Sequence, residues 1–195
     1  MSDKKRGKTA EGEVNDGFDV TGDTNQYLTF ILAGEEYGVD ILRVQEVKGW
    51  ESVTAMPNTP AYIKGVINLR GTIVPILDLR ERFSLESIPY GPRTVVIVLK
   101  VGEGAASKVM GIVVDAVSDV YNVATQEMRP PPDFCSVIST DFVRGLATVG
   151  EKMVILLDSD KLLNVEEFEG MGLTRRGGRP SQGSGQGAAD GPTVQ

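Results

Sequence analysis

From about residue 25 to 169, apolar and polar positions alternate with a period close to two, and β-branched residues are abundant. That period predicts half-buried strands rather than helices. "YLTFIL" and "EYGVDI" flank "AGEE", a glycine-bearing hairpin turn. In "ILRVQEV" the apolar residues Ile41, Val44 and Val47 fall three apart, which fits a short helical turn or a strand with a bulge. "MPNTPAY" is a proline-punctuated loop, and "IKGVINL" and "TIVPILDL" are two strands around Arg70-Gly71. Pro75 inside the second of these implies an edge position or a bulge, because proline cannot donate to the ladder. "TVVIVLKV" and "KVMGIVVDAV" repeat the hairpin pattern around "GEGAAS", "RPPPDF" mirrors the first proline loop, and "NVEEFEG" closes the region as a helical end. Short strands at regular intervals with few long helices predict a mainly all-β chain of small barrels.

The pattern repeats. "YIKGVINLRGTIVPILDLRERF" from Tyr62 is matched, 80 residues later, by "FVRGLATVGEKMVILLDSDKLL" from Phe142. Gly65/Gly145, Val74/Val154, Leu77/Leu157 and Asp78/Asp158 are identical, and Tyr62/Phe142, Lys64/Arg144, Ile73/Met153 and Ile76/Leu156 keep their type. Upstream, "YGVDILRVQEV" parallels "MGIVVDAVSDV". Two copies of one five-stranded unit follow, each too small to be stable alone and joined by packing. Where the first copy reads "NLRGT" the second reads "TVGEK", so the fold does not demand arginine at that turn. Gly71 has a conformational reason to be there, supplying a positive φ. Arg70 has none, and is left between a surface turn residue and a contact residue.

Composition limits what such a chain does. There is no histidine, which removes Ser-His-Asp and Cys-His nucleophilic sites and histidine-ligated metals. The single cysteine, Cys135, rules out an internal disulfide, suits a reducing compartment and reads as a small packed hydrophobe. The net charge is −7; residues 1–24 carry −2 and residues 170–195 carry +2, so the body between them holds −7. An acidic body repels phosphate backbones, which argues against nucleic acid as a partner. The N-terminus is charged without an apolar core, and the longest apolar runs, "VVIVL" and "MVILL", have five residues, so a soluble, cytoplasmic protein is expected. Residues 1–24 and the glycine-rich residues 170–195 read as disordered tails, the "RRGG" in the latter as a solvated linker.

No reaction chemistry assembles. "GEGAASK" has glycines and a lysine but sits between strands, where a phosphate cradle does not. "DSDKLLNVEE" begins like a calcium loop, yet Leu162 and Leu163 occupy the places of an oxygen ligand and the glycine, so it reads as a helix cap through Ser159 or Asp160. Asp78 and Asp158 recur after apolar strands and are better explained as caps of "LRERF" and "DKLL" than as an acid/base pair. The expectation is a binding protein with no catalytic residues, no metal and no cofactor.

Together, "GEEYGVDILRVQEV", "NTPAYIKGVINLRGTIVPILDLRERF", "TVVIVL", "GIVVDAVSDV" and "MVILLDSDKLLN" resemble the CheW family of bacterial chemotaxis coupling proteins, from about Tyr27 to Glu167. The resemblance implies two intertwined five-stranded SH3-like barrels with a hydrophobic seam, short helical turns and a C-terminal helix. The expected boundaries are a first barrel over about 27–92, a second over about 93–160 and a closing helix over about 160–168, within a domain of residues 25–169. It also implies a non-enzymatic adaptor that joins chemoreceptor tips to the regulatory domain of the histidine kinase CheA, recruited to membrane-associated receptor arrays. The receptor-facing residues carried over are Val44, Glu46, Arg70, Val95 and Val120, with Gly65 and Gly71 shaping the surface; Gly111 is the candidate on the kinase side. Three valines would line an apolar groove for a helical hairpin, with Arg70 and Glu46 fixing register at its rim. The rival readings are an adaptor of a parallel chemosensory array and a small-ligand or oligonucleotide-binding barrel.

Overall fold

The computed structural model describes residues 24–104, 107–131, 140–164 and Phe168; Cys135, the last three residues of "RPPPDF" and, apart from Thr24, both expected tails lie outside the described residues. Ten strands run in chain order: β1 (Thr24–Leu32), β2 (Glu35–Asp40), β3 (Val44–Gly49), β4 (Ile63–Leu69), β5 (Thr72–Asp78), β6 (Val95–Val101), β7 (Lys108–Val114), β8 (Ala116–Ala124), β9 (Val143–Val149) and β10 (Lys152–Leu157). Single helical turns, α1 (Leu79–Arg82) and α2 (Ser159–Leu162), follow β5 and β10. The rest of the expected closing helix lies outside the described residues, apart from Phe168, whose ring is fully buried.

The strands form two five-stranded sheets, the first in the order β8–β1–β2–β10–β9 and the second in the order β3–β6–β7–β5–β4. This corrects the expected division into 27–92 and 93–160: each sheet takes its central hairpin from one half of the chain and three strands from the other. Two short connections carry the exchange. The three-residue turn Ile41–Arg43 joins β2 to β3, and Asp115 alone joins β7 to β8. At each of them the chain passes from one sheet to the other. The two halves meet at the parallel pairs β2–β10 and β5–β7 and at the antiparallel pairs β1–β8 and β3–β6.

The repeat governs these pairs to the residue. Gly38 lies opposite Leu156 and Gly111 opposite Ile76, equivalent positions in the two copies. A Cβ on Gly38 would come within 3.0 Å of Leu156 Cδ2, and one on Gly111 within 2.5 Å of Ile76 Cδ1. Each sheet curls shut through an equivalent isolated bridge, Thr54 to Val66 in the second and Arg129 to Leu146 in the first. Gly65 makes the former possible, since a Cβ there would sit 2.2 Å from the Thr54 carbonyl oxygen. Pro75 corrects the edge-or-bulge expectation. β5 is an interior strand and its pairing with β4 is unbroken at Pro75, opposite Val66. β7 joins it only from Ile76 onward, so at Pro75 one flank has no ladder to lose.

Side chains sort into three clusters. Val74, Ile76, Val96, Val98 and Val113 fill the second barrel, and Tyr27, Val123, Ala147, Val154 and Leu156 the first. The largest cluster lies between them and draws on both sheets, with Phe30, Leu32, Leu77, Ile97, Leu99, Ile112 and Leu157 among its members. β6 shows why its sequence is apolar throughout: Val96 and Val98 face the barrel interior while Ile97, Leu99 and Val101 face the seam.

Two charge latches close the ends of the seam. Arg80 of α1 grips Asp115 through Nε at 2.7 Å and Nη2 at 2.6 Å, and Asp115 also accepts the Ala33 N–H at the β1–β2 turn, at 2.8 Å. In the other copy Arg43 donates to Asp160 of α2 at 2.8 Å, and Asp160 accepts the Gly102 N–H after β6, at 2.7 Å. Each helical turn is thus clipped to the opposite sheet's hairpin, with the charges exchanged. Reciprocal contacts of this kind define an internal two-fold relation. The Arg82 guanidinium lies over the rings of both Tyr62 and Phe142, equivalent residues, 4.7 and 5.2 Å from their centroids.

Candidate functional site

The surface around Arg70 is assembled by β3 and the β4–β5 turn. Asp40 caps the turn Ile41–Arg43 by accepting the Leu42 N–H at 2.9 Å, and β3 then begins with a register shift between Val44 and Glu46. "ILRVQEV" therefore contains both features expected of it as alternatives. The irregularity leaves Val44 half-buried against the seam cluster, Glu46 at the surface, and Val47 outward and 41% exposed.

The β4–β5 turn runs through Arg70 at φ 52° and Gly71 at φ 88°, with Asn68 Oδ1 accepting the Gly71 N–H at 2.7 Å. Two consecutive left-handed residues match the right-handed twist of a two-residue hairpin. The β9–β10 loop has the same length but puts Gly150, at φ 61°, where Arg70 stands. Arginine thus occupies a left-handed position that its counterpart fills with glycine. For a residue with a Cβ that conformation is strained, and such strain gathers at functional positions. The Arg70 side chain is 83% exposed and reaches back to Glu46, Nη2 to Oε2 at 3.1 Å.

The expected site residues are only partly gathered. Arg70 and Glu46 meet. Val44 and Val95, both on the second sheet, are half-buried against the seam cluster, whereas Val120 stands on β8 of the first sheet, 43% exposed. None of the three is sealed, and they lie on either side of the seam. Gly65 is a closure residue rather than a contact, and Gly71 a turn residue. Gly111 is corrected: it is buried beneath Ile76 and Val96 and cannot touch a partner. An open cleft of about 630 Å3 crosses the seam near Thr94, lined by Ile31 and Gly34 on one side and Ile88, Pro89 and Arg93 on the other, with Arg80 and Asp115 also in its lining.

The carboxylates considered for chemistry are caps. Asp78 accepts the Arg80 and Glu81 N–H groups and the Tyr90 hydroxyl, the last at 2.6 Å. Burial and then that bond raise the Tyr90 pKa. Asp158 accepts the Asp160 and Lys161 N–H groups, so Asp158, not Ser159 or Asp160, caps α2. The buried Glu36 is likewise structural. Burial pushes its carboxyl up, but hydrogen bonds from Ser118, Lys152 and Thr29 outweigh that and hold it below its ordinary value. Among the described residues no cluster of His, Cys, Asp or Glu could hold a metal ion.

Reasoning from the sequence missed the exposed aliphatic residues Ile73 and Met153, at 57% and 60%. A signal existed: this repeat pair keeps an apolar type at a position that alternation assigns to solvent.

Twin barrels with a strained arginine, exposed aliphatic residues and carboxylates taken up in capping helical turns define a binding scaffold. The model of the CheW-like domain family matches residues 26–167, and the chain belongs to that family of non-enzymatic chemotaxis scaffold proteins. It is 49% identical over 151 residues to the chemotaxis protein CheW of Klebsiella aerogenes, covering 76% of this chain and 89% of that one. It is 36% identical over 150 residues to the chemotaxis protein CheW of Rhizobium meliloti, covering 77% and 94%. The crystal structure of the scaffolding protein TtCheW from Thermoanaerobacter tengcongensis matches with a TM-score of 0.65 at 36% identity, over 71% of this chain and 91% of that one.

Proposed function

We propose that this chain works in the cytoplasm, at receptor arrays, joining the tips of chemoreceptors to the regulatory domain of the kinase CheA. Its contribution is affinity and geometry. By holding both partners in one arrangement it lets a small receptor shift bias two kinase states. Val44, Val95 and Val120 offer apolar contact to the receptor, and Arg70 with Glu46 sets register by charge-assisted hydrogen bonding at the rim.

The observation that carries this reading is Arg70: a solvent-facing cation held in a left-handed turn position that the other copy gives to glycine. The test mixes purified protein with a CheA fragment and a receptor-tip fragment and measures ternary complex formation and kinase activity. Arg70→Ala is expected to weaken receptor binding about tenfold, as an interface arginine does, while stability changes by less than about 0.5 kcal/mol. A large fall in the unfolding midpoint, or unchanged binding, would assign Arg70 to the fold instead.

A further inference from the structure

β3 and β8 carry the same irregularity. β3 reads Val44-Gln45-Glu46-Val47 and β8 reads Val117-Ser118-Asp119-Val120, at the 73-residue spacing that also relates Gly38 to Gly111. In β8 the pairing with β1 steps from Phe30–Val117 to Leu28–Val120, so Ser118 and Asp119 stand against Thr29 alone. In β3 the pairing with β6 steps from Leu99–Val44 to Val98–Glu46, with Gln45 as the extra residue. Each is a bulge, and a bulge re-aims the side chains beside it. Just after them Val47 and Val120 emerge, 41% and 43% exposed.

The two bulges are held by different means. The β1–β2 pair Phe30–Tyr37 corresponds to the β6–β7 pair Leu99–Met110, which matches Thr29 with Val98 and Glu36 with Val109. Both valines belong to the apolar cluster of the second barrel. In the first barrel the same places are polar, with Thr29 fully buried and Glu36 6% exposed. The Asp119 N–H donates to Thr29 Oγ1 at 3.2 Å, and the Thr29 hydroxyl donates to Glu36 Oε1 at 3.0 Å. A hydroxyl has one hydrogen, and the carboxylate is a stronger acceptor for it than the Asp119 carbonyl, 3.1 Å away. Glu36 also accepts from Ser118 and pairs with Lys152 at 3.2 Å. The Val120 N–H donates to Asp119 Oδ1 at 2.7 Å. From Val120 inward, the β8 bulge is thus pinned by side chains down to a buried carboxylate.

We propose that Thr29 and Glu36 are positioning residues for receptor binding: they set the β8 bulge, and with it the place of Val120, without touching the receptor. The inference rests on the coupling function proposed above, in which Val120 is a receptor contact. The difference between the copies carries it. A buried carboxylate costs desolvation, and apolar replacements of a buried charged network often leave stability unchanged or higher. The second barrel has two valines here and still makes its bulge, so a barrel of this kind does not need the polar pair. Its bulge is gripped from outside, where Arg70 holds Glu46 at the place of Asp119. The β9–β10 turn has Gly150 where Arg70 stands, so β8 lacks that arginine and is held from beneath.

The experiment is calorimetric titration of the full chain with a receptor-tip fragment containing both helices and, separately, with the CheA fragment. Thr29→Val together with Glu36→Val gives the first barrel the residues of the second. The pair should raise the dissociation constant for the receptor fragment about fivefold. The constant for the CheA fragment should change less than about twofold, and the thermal midpoint should stay within about 3 °C of wild type. A double-mutant cycle reads positioning itself. In a Val120→Ala background the pair should add less than about twofold, whereas in an Arg70→Ala background, on the other barrel, it should add the full effect of about fivefold. Thr29→Val alone removes the pin and keeps the charge, with a loss of about threefold, and carries the same cycle if the double variant does not fold. Wild-type affinity in these variants, an equal loss with and without Val120, or an equal loss toward the CheA fragment would make the network structural only. The inference would then fall with the coupling function intact. If the wild-type chain fails to bind the receptor fragment, the coupling function itself falls, and this inference with it.

Discussion

The β4–β5 and β9–β10 hairpins are the same element twice, and they solve the same turn differently. One passes through Arg70 and Gly71, both left-handed; the other uses Gly150 alone. Around them nearly everything is duplicated: the capping aspartates, the bridge that closes each barrel, the glycine opposite each parallel strand, the latch at each end of the seam. Where packing or backbone geometry leaves little choice, the copies agree. Where they part, at Arg70, at Lys152 and in the polarity of the latches, the fold is indifferent and something else has chosen. That contrast separates residues that build the barrels from residues that use them.

The comparison breaks most visibly at barrel closure. Gly65 has φ 140° and no space for a Cβ against the Thr54 carbonyl, whereas a Cβ on Gly145 would stand 3.1 Å from the Arg129 carbonyl oxygen. Gly65→Ala combines a backbone strain with a backbone clash and is expected to cost about 4 kcal/mol or to prevent folding. Gly145→Ala is a tight fit that small shifts relieve, at about 1 kcal/mol. Denaturant midpoints at unchanged slope measure both. Equal losses would mean that the two barrels close with equal tightness.

The latches should differ by less. Arg80 and Asp115 are mostly buried and bound through two hydrogen bonds, while Arg43 and Asp160 are more exposed and bound through one. Removing Arg80 leaves Asp115 desolvated with only the Ala33 N–H, so Arg80→Ala should cost about 2 kcal/mol. Arg43→Ala should cost less than about 1 kcal/mol, as exposed pairs do. The stronger latch is also marked by pH. Burial raises the Asp115 pKa, but hydrogen bonds from Arg80 and Ala33 and the Arg80 charge outweigh it, and the carboxyl is held below its ordinary value. A depressed carboxyl stabilises the fold fully above its unfolded pKa of about 4 and loses that contribution as pH falls below it. Stability measured downward from pH 5 should therefore fall less steeply in Arg80→Ala than in wild type. Parallel acid limbs would show that the latch does not set the charge of Asp115.

Much of this organisation could be read from the residues alone. The alternation, the two hairpins and the 80-residue repeat gave the strands, because a half-buried strand must write its two faces into the sequence. What stayed hidden was which strands pair. The exchange between halves takes place at the Ile41–Arg43 turn and at Asp115, and periodicity marks where a strand ends without saying which sheet the next one joins. Gly111 was misread for a related reason: a glycine in a strand signals a close approach without saying from which side, and here it is a core side chain, Ile76 Cδ1, that comes near. At the site, Arg70 stood out because its repeat partner differs. Ile73 and Met153 did not, because agreement between copies reads as core until exposure is known.

The smallest expected effect is the most discriminating. Arg70→Gly gives the second barrel the residue that the first already uses at this place. It relieves a left-handed conformation worth about 1 kcal/mol. The freedom that glycine adds to the unfolded chain offsets most of this, by a similar amount. The exposed pair with Glu46 contributes less than about 0.5 kcal/mol. The unfolding midpoint should therefore stay within about 2 °C of wild type. Binding to the receptor tip should nevertheless fall as far as in Arg70→Ala, since both lose the guanidinium and only one loses the strain. Gly150→Arg makes the reverse change, adding the strain to the first barrel, where the shorter Asp119 stands at the place of Glu46, and should lower stability by about 1 kcal/mol. If Arg70→Gly binds like wild type, arginine is at this turn by accident, and the difference between the hairpins has no bearing on what the protein holds.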